Sequence, residues 1–200
     1  MAIDMASGGA TRSGDALAYA DSFLDAPDIR ERASIHALDE FDTLPFHHGD
    51  REVVVRLLNS TLAATIASTL RYRRHHFMVR GTAADPIRTQ LRQLAAEDQV
   101  HADLVAERIG ELGGAPDLYP MQLHDARHSG YVEGDGIAQL LHEDLIAAYS
   151  AIASYGEVAR YLGDSDPTTR QMLDGIVAVK GEHASQLAAM LETLFGTGRT

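Results

Sequence analysis

Four stretches of this chain repeat one pattern: apolar residues return every three or four positions over roughly 27 to 30 residues, and a glycine closes each stretch. The first runs from about Arg51 to Arg80, with Val54, Leu58, Leu62, Thr65, Thr69 and Tyr72 along one stripe, and Gly81 stops it. The second opens at Asp85-Pro86, an N-cap followed by a proline in the first turn, and ends at Gly113. The third spans about Asp135 to Gly163; the fourth opens at Asp166-Pro167 and reaches Phe195 before Gly196. At 1.5 Å per residue each rod is about 40–45 Å long. Four matched amphipathic rods bury their stripes best against one another, so the predicted fold is all-α, a four-helix bundle over residues 51–200. Short turns join the first rod to the second and the third to the fourth, which makes those pairs antiparallel neighbours. Between the second and third lie about twenty residues, Gly114 to Gly134, with Pro116 and Pro120 among them. A connection of that length can run the full height of a bundle, as a single long crossover.

Residues 1–50 are a separate, acidic N-terminal extension. They hold three arginines against ten acids, a net −7 out of the −12 of the whole chain. Residues 1–14 have the small, polar composition expected of a flexible arm, and Gly8 to Gly14 lacks the Gly-Lys-Ser/Thr of a phosphate loop. Pro45, His47, His48 and Gly49 mark a linker; adjacent histidines face different ways on a helix, so a solvated loop pair is the simpler reading. A nucleic-acid-binding tail needs cations to neutralise phosphates, so direct binding by this acidic one is disfavoured. The chain has no cysteine, which excludes disulfides, thiolate metal sites and cysteine nucleophiles. Apolar runs such as Ile146 to Tyr149 are far shorter than a membrane span, and the N-terminus lacks the basic-then-apolar order of a secretory signal; the expected address is cytoplasmic.

Two turns carry candidate chemistry. Glu97-Asp98-Gln99-Val100-His101 and Lys180-Gly181-Glu182-His183 each set a histidine three residues after a charged group, which brings both side chains to one helix face. That is the spacing of the Glu-x-x-His turn with which bundles bind two irons. An internal repeat supports a paired arrangement: Thr65 and Ala148, Tyr72 and Tyr155, and His101 and His183 recur at a nearly constant separation of about 83 residues.

On Leu57-Leu58-Asn59, Leu70 to His75, Glu97 to Asp103, Glu107-Arg108-Ile109, Leu112-Gly113-Gly114-Ala115-Pro116, Glu143-Asp144-Leu145 and Glu182-His183, residues 51–195 resemble the ferritin-like superfamily, specifically bacterioferritin and Dps-like proteins. The resemblance implies a symmetric homo-oligomer or cage in iron storage or oxidative-stress protection. It also implies a di-iron centre with glutamates at Thr65, Asp98, Ala148 and Lys180 and histidines at His101 and His183. Only the histidines match; Asp98 keeps a carboxylate on a shorter arm, Ala148 offers nothing and Lys180 is a cation. The family's haem methionine falls at Gln99, so no haem is expected.

Charge counting ranks the readings. Four glutamates balance two divalent irons, whereas Asp98 and Lys180 sum to zero, so these two are expected to pair in the space of a lost ferroxidase centre, flanked by His101 and His183. The role is then that of a shell subunit, alone or in a mixed cage with an active partner, rather than of an enzyme. The enzymatic alternative is an iron(II) oxidase that binds metal through Asp98, His101 and His183, with help from Asp144 or Glu97. A third reading is a small anion in the room left by Thr65 and Ala148. Tyr72, Tyr149 and Tyr155 are read as core, and His124, His128 and His142 show no ligand spacing. Arg71, Arg73, Arg74, His75 and His76 form a dense basic cluster whose expected partners are a neighbouring subunit or the acidic N-terminal segment.

Overall fold

The computed structural model describes residues 50–81, 84–118 and 136–196. The extension before Asp50, His124, His128 and most of the crossover lie outside the described residues. Four helices account for nearly all the rest: α1 (Arg51–Met78), α2 (Ala84–Glu111), α3 (Ile137–Leu162) and α4 (Pro167–Gly196), with no strand among the described residues.

Local chemistry sets the ends. Asp50 caps α1 by accepting a hydrogen bond from the Glu52 amide at 3.0 Å. α2 begins at Ala84, two residues before the Pro86 start that an Asp85 N-cap implies, so Asp85 lies inside the first turn, where its charge suits the positive end of the helix dipole. Asp166 caps α4 as expected, its Oδ1 accepting from the Thr169 amide at 3.0 Å, with Pro167 as the first helical residue.

The Leu-Gly-Gly-x-Pro motif closes α2. Gly113 takes a left-handed φ of 71°, and the amides of Gly113 and Gly114 return to the carbonyls of Gly110 and Ile109 at 2.8 and 2.9 Å. A Cβ on Gly114 would come within 2.6 Å of Val55, so α1 and α2 meet closely there. Asn59 fastens the departing chain to α1: its amide donates to Ala115 O at 3.1 Å and its carbonyl accepts from the Asp117 amide at 2.7 Å.

Cross-helix contacts fix the topology. His76 near the end of α1 donates to Arg88 O near the start of α2, and Arg51 at the start of α1 reaches Leu112 O after the end of α2. Late α1 likewise meets early α3 (His75 with Asp144) while mid α1 meets later α3 (Thr65 with Tyr155). Gln90 of α2 meets Gln186 of α4, and Arg108 meets Thr169. All three pairings are antiparallel. α3 must therefore start at the end of the bundle opposite to where α2 stops, which is what a crossover of full bundle height achieves.

The core is two apolar clusters with a polar belt between them. Leu91, Leu94, Leu141, Leu145, Leu187 and Leu191 fill one. Leu58, Leu62, Val105, Ile109, Leu162 and Leu173 fill the other. By length and composition α1 passes for a membrane span, with an 18-residue window of mean hydropathy 1.4. Counting uninterrupted apolar runs overlooks this window because threonines and serines break them. Half of the window is buried within the bundle, and Leu58 and Leu62 are wholly so.

Candidate functional site

Asp98 sits near the middle of α2 with no exposed surface, and Lys180 near the middle of α4 is equally buried. Lys180 Nζ donates to both carboxylate oxygens of Asp98 at 2.6 Å. The pair expected from charge counting is thus made, in its two-pronged form. The histidines flank it: His183 Nδ1 stands 3.5 Å and His101 Nδ1 3.8 Å from Asp98 Oδ1, with the two rings 6.1 Å apart. Neither Nδ1 has a hydrogen-bond partner. His183 Nε2 donates to Glu97 Oε2 at 2.6 Å, so Glu97 acts from the neighbouring face of the same turn.

The electrostatics follow from burial against pairing. Burial pushes the Asp98 carboxyl up, but His101 and the Lys180 ammonium outweigh it and hold the group below the usual aspartate range. Burial draws the Lys180 ammonium down, and the Asp98 charge restores only part of that. His183 is also drawn down by burial, against the pull of Glu97 and Asp98. Burial raises the half-buried Glu97 carboxyl, but hydrogen bonds from Gln93 and His183 together outweigh it and hold the group low.

The other positions implied by the family pattern behave differently. Thr65 Oγ1 donates to Thr61 O at 2.7 Å and therefore accepts from the Tyr155 hydroxyl. Burial raises that phenol well above its ordinary value. Tyr155 thus stands where a shortened residue at position 65 leaves room, and Ala148 packs in the cluster of Tyr72, Leu94 and Leu187. Tyr155 and the Ala148 cluster thus occupy space on which the small-anion reading drew. Asp144, suggested as an additional metal ligand, faces another way: Oδ2 pairs with His75 Nδ1 at 2.8 Å, both residues fully buried. Burial keeps the Asp144 carboxyl raised despite His75. His75 is accordingly a core residue and no part of a surface cluster. Tyr72 OH is buried without a hydrogen-bond partner, and the charges of Asp98 and Asp144 add to burial in raising it.

As arranged, the donor set does not fit a metal ion: among the described residues no group of three or more His, Asp or Glu side chains converges on one point. Both oxygens of Asp98 are taken by Lys180, and a cation beside a candidate cation site opposes occupancy. Gln99 is exposed and donates to Asp103 at 2.9 Å. Three functional contacts escaped sequence reasoning. His75–Asp144 joins residues 69 apart on different helices, Thr65–Tyr155 joins residues 90 apart, and Glu97, weighed only as a metal ligand, instead accepts from His183 Nε2.

Comparisons with known proteins agree with the four-helix fold. The family model "Ferritin-like domain" matches residues 55–195. The nutrient stress-induced DNA-binding protein of Synechococcus sp. is 27% identical over 138 residues, covering 67% of this chain and 78% of that protein. The DNA protection during starvation protein of Brevibacillus brevis is 26% identical over 145 residues, covering 71% and 97%. Among solved structures, the dodecameric thioferritin of Bacteroides fragilis superposes with a TM-score of 0.67 at 25% identity, over 74% of this chain and 89% of that one. A Dps homologue from Halobacterium salinarum gives 0.66 at 26%, over 71% and 81%.

Proposed function

The chain belongs to the ferritin-like domain family, and from that premise we propose that it is a Dps-like subunit of a cytoplasmic homo-oligomeric shell for iron storage or stress protection, in which its own intrasubunit iron-oxidising centre is disabled. The observation that carries the reading is the Lys180 ammonium bound to both oxygens of a buried Asp98. An iron(II) ion arriving there meets a net charge of zero from this pair, where four glutamates would offer −4. It must also displace a fixed ammonium from its buried counter-ion, and breaking a buried pair costs several kcal/mol. His101 and His183 by themselves offer two imidazole nitrogens, too few hard ligands for iron. What remains is a four-helix subunit, with α1 and α4 capped by Asp50 and Asp166, suited to a wall of an assembly. Within a mixed shell, oxidation would fall to a partner subunit with a complete centre.

Iron oxidation and native mass test the two halves of this reading. With Fe²⁺ in air, the protein should follow the protein-free rate, and the His101→Ala/His183→Ala double variant should match it. A fast phase in the wild type that this variant loses would establish the oxidase instead. A chain carrying Thr65→Glu, Ala148→Glu and Lys180→Glu serves as the positive control, since it supplies the missing charge. A relative with the same fold is named as a dodecamer, and twelve chains of 21.7 kDa come to about 260 kDa. A monomeric native mass would remove the shell.

A further inference from the structure

Lys180 and Asp98 satisfy each other, yet the side chains gathered around them do not. Tyr72 OH, His101 Nδ1 and His183 Nδ1 have no hydrogen-bond partner, and none of the three residues is more than 7% exposed. Each belongs to the neighbourhood of Asp98. The two ring nitrogens stand 3.8 and 3.5 Å from its Oδ1. Ser68 lies beside both Asp98 and Tyr72, and after burial the Asp98 charge is what most raises that phenol. His183 settles which kind of group its free nitrogen is. Its Nε2 carries the hydrogen given to Glu97, and burial draws the ring toward its neutral form, so Nδ1 turns a bare lone pair toward another acceptor, Asp98 Oδ1. Two buried acceptors face to face need a donor across them. Tyr72 OH is a donor that needs an acceptor, as is His101 in the tautomer with its hydrogen on Nδ1. Contacts of 3.5 and 3.8 Å are too long for direct hydrogen bonds, but they fit legs of about 2.8 Å that meet at a third atom.

We infer that these four side chains form a binding site for one internal water, which donates to His183 Nδ1 and Asp98 Oδ1 and accepts from Tyr72 OH and His101 Nδ1. The balance of donors and acceptors selects the guest. Two acceptors and two donors complement a molecule with two hydrogens and two lone pairs, and buried waters characteristically make two to four such bonds. An anion would meet the Asp98 charge, and a cation would meet the ammonium of Lys180. A larger polar molecule finds nothing to bond in the apolar clusters on either side of the belt. Through the water a hydrogen-bonded line runs from Glu97, whose side chain is 37% exposed between α2 and α4, by way of His183 to the wholly buried Tyr72 phenol. That line gives the Tyr72 hydroxyl hydrogen a route to solvent. It also supplies Asp98 with a further donor, in line with a carboxyl held below the usual aspartate range. Iron-free protein serves for the test, so its failure is separable from that of the shell reading.

A high-resolution crystal structure of the full-length, iron-free chain should show one oxygen peak within about 3.2 Å of both His183 Nδ1 and Asp98 Oδ1. Nitrogen-15 spectra at neutral pH, with His183 assigned by its loss in His183→Gln, should report a neutral ring with its hydrogen on Nε2 and a hydrogen-bonded Nδ1. Tyr72→Phe/His101→Phe removes both donors to the water while keeping ring volume. In that variant the peak should vanish and the His183 Nδ1 resonance should move to the position of a free lone pair. Should the double variant fail to fold, Tyr72→Phe alone should weaken the peak and move Nδ1 in the same direction. A doubly protonated His183 in direct contact with Asp98 overturns the inference. So does a wild-type map without the peak, or a peak that keeps its full strength when both donors are gone. Contacts of about 2.0–2.2 Å to the peak, with Lys180 swung away from Asp98, would give the place to a metal ion and overturn it equally.

Discussion

Asp98 and Asp144 are both fully buried and each faces a basic side chain from a neighbouring helix, yet the fold lowers the carboxyl of the first and raises that of the second. The desolvation is comparable; the partners are not. Asp98 receives two hydrogen bonds from an ammonium and has two histidines within 4 Å. Asp144 accepts from His75 Nδ1 through Oδ2, and its Oδ1 is left without a hydrogen bond. A buried carboxylate stays charged only when a fixed cation and several donors meet it together. Position 180 therefore decides how the whole polar belt is charged, and Lys180 makes the region beside Asp98 a closed ion pair where a carboxylate there would leave an open anionic site.

The largest effect expected from breaking the comparison is at Lys180. Lys180→Ala strands the Asp98 charge and should cost about 3–5 kcal/mol in urea melts. Lys180→Met with Asp98→Leu removes both charges and should recover most of that loss or exceed wild-type stability. A double variant as unstable as the single one would show that packing, not charge, sets the cost. His75→Ala should cost less, about 1–3 kcal/mol, because Asp144 can keep its proton and remain neutral when its partner is gone.

The pH dependence of stability separates the two aspartates by sign. The Asp98 carboxyl is depressed in the folded state, so its stabilisation is present above the ordinary aspartate value of about 3.9 and is lost as pH falls through the lower folded value. The Asp144 carboxyl is raised, so its contribution is full below about 3.9 and is lost as pH climbs through the higher folded value. Melts across the acid range should therefore show a shallower acid limb for Asp98→Asn. Relative to wild type, Asp144→Asn should gain as pH rises. Identical profiles for the two variants would contradict the contrast. The smallest expected effect is at Tyr155: Tyr155→Phe leaves Thr65 Oγ1 without its donor and should cost about 1 kcal/mol, with Thr65→Val/Tyr155→Phe closer to neutral.

Much of this molecule was legible before any coordinate. Helix number, ends within one or two residues, the capping role of Asp166 and the Lys180–Asp98 pair follow from periodicity, turn chemistry and charge counting. These are local properties or, for the pair, the consequence of a single cation and a single carboxylate set at matching turns of two helices. What stayed hidden depends on which stripes face each other. His75 reads in sequence as one more basic residue beside Arg73 and Arg74, but the stripe it occupies turns inward onto α3, where Asp144 waits. Room at Thr65 and Ala148 looked like a pocket because only those two positions were counted; Tyr155, seven residues beyond Ala148 on the same helix, meets Thr65 there.

By itself the sequence determined a four-rod all-α bundle, a long crossover, an acidic extension and the cancellation of charge between Asp98 and Lys180. Only the tertiary structure decided that His75 belongs to the core, that Tyr155 meets Thr65, and that Tyr72, His101 and His183 gather around Asp98. The reason is physical: helix periodicity and capping act over four or five residues and are written in consecutive positions, whereas a buried side chain is satisfied by whichever group the packing of a distant helix brings within about 3 Å.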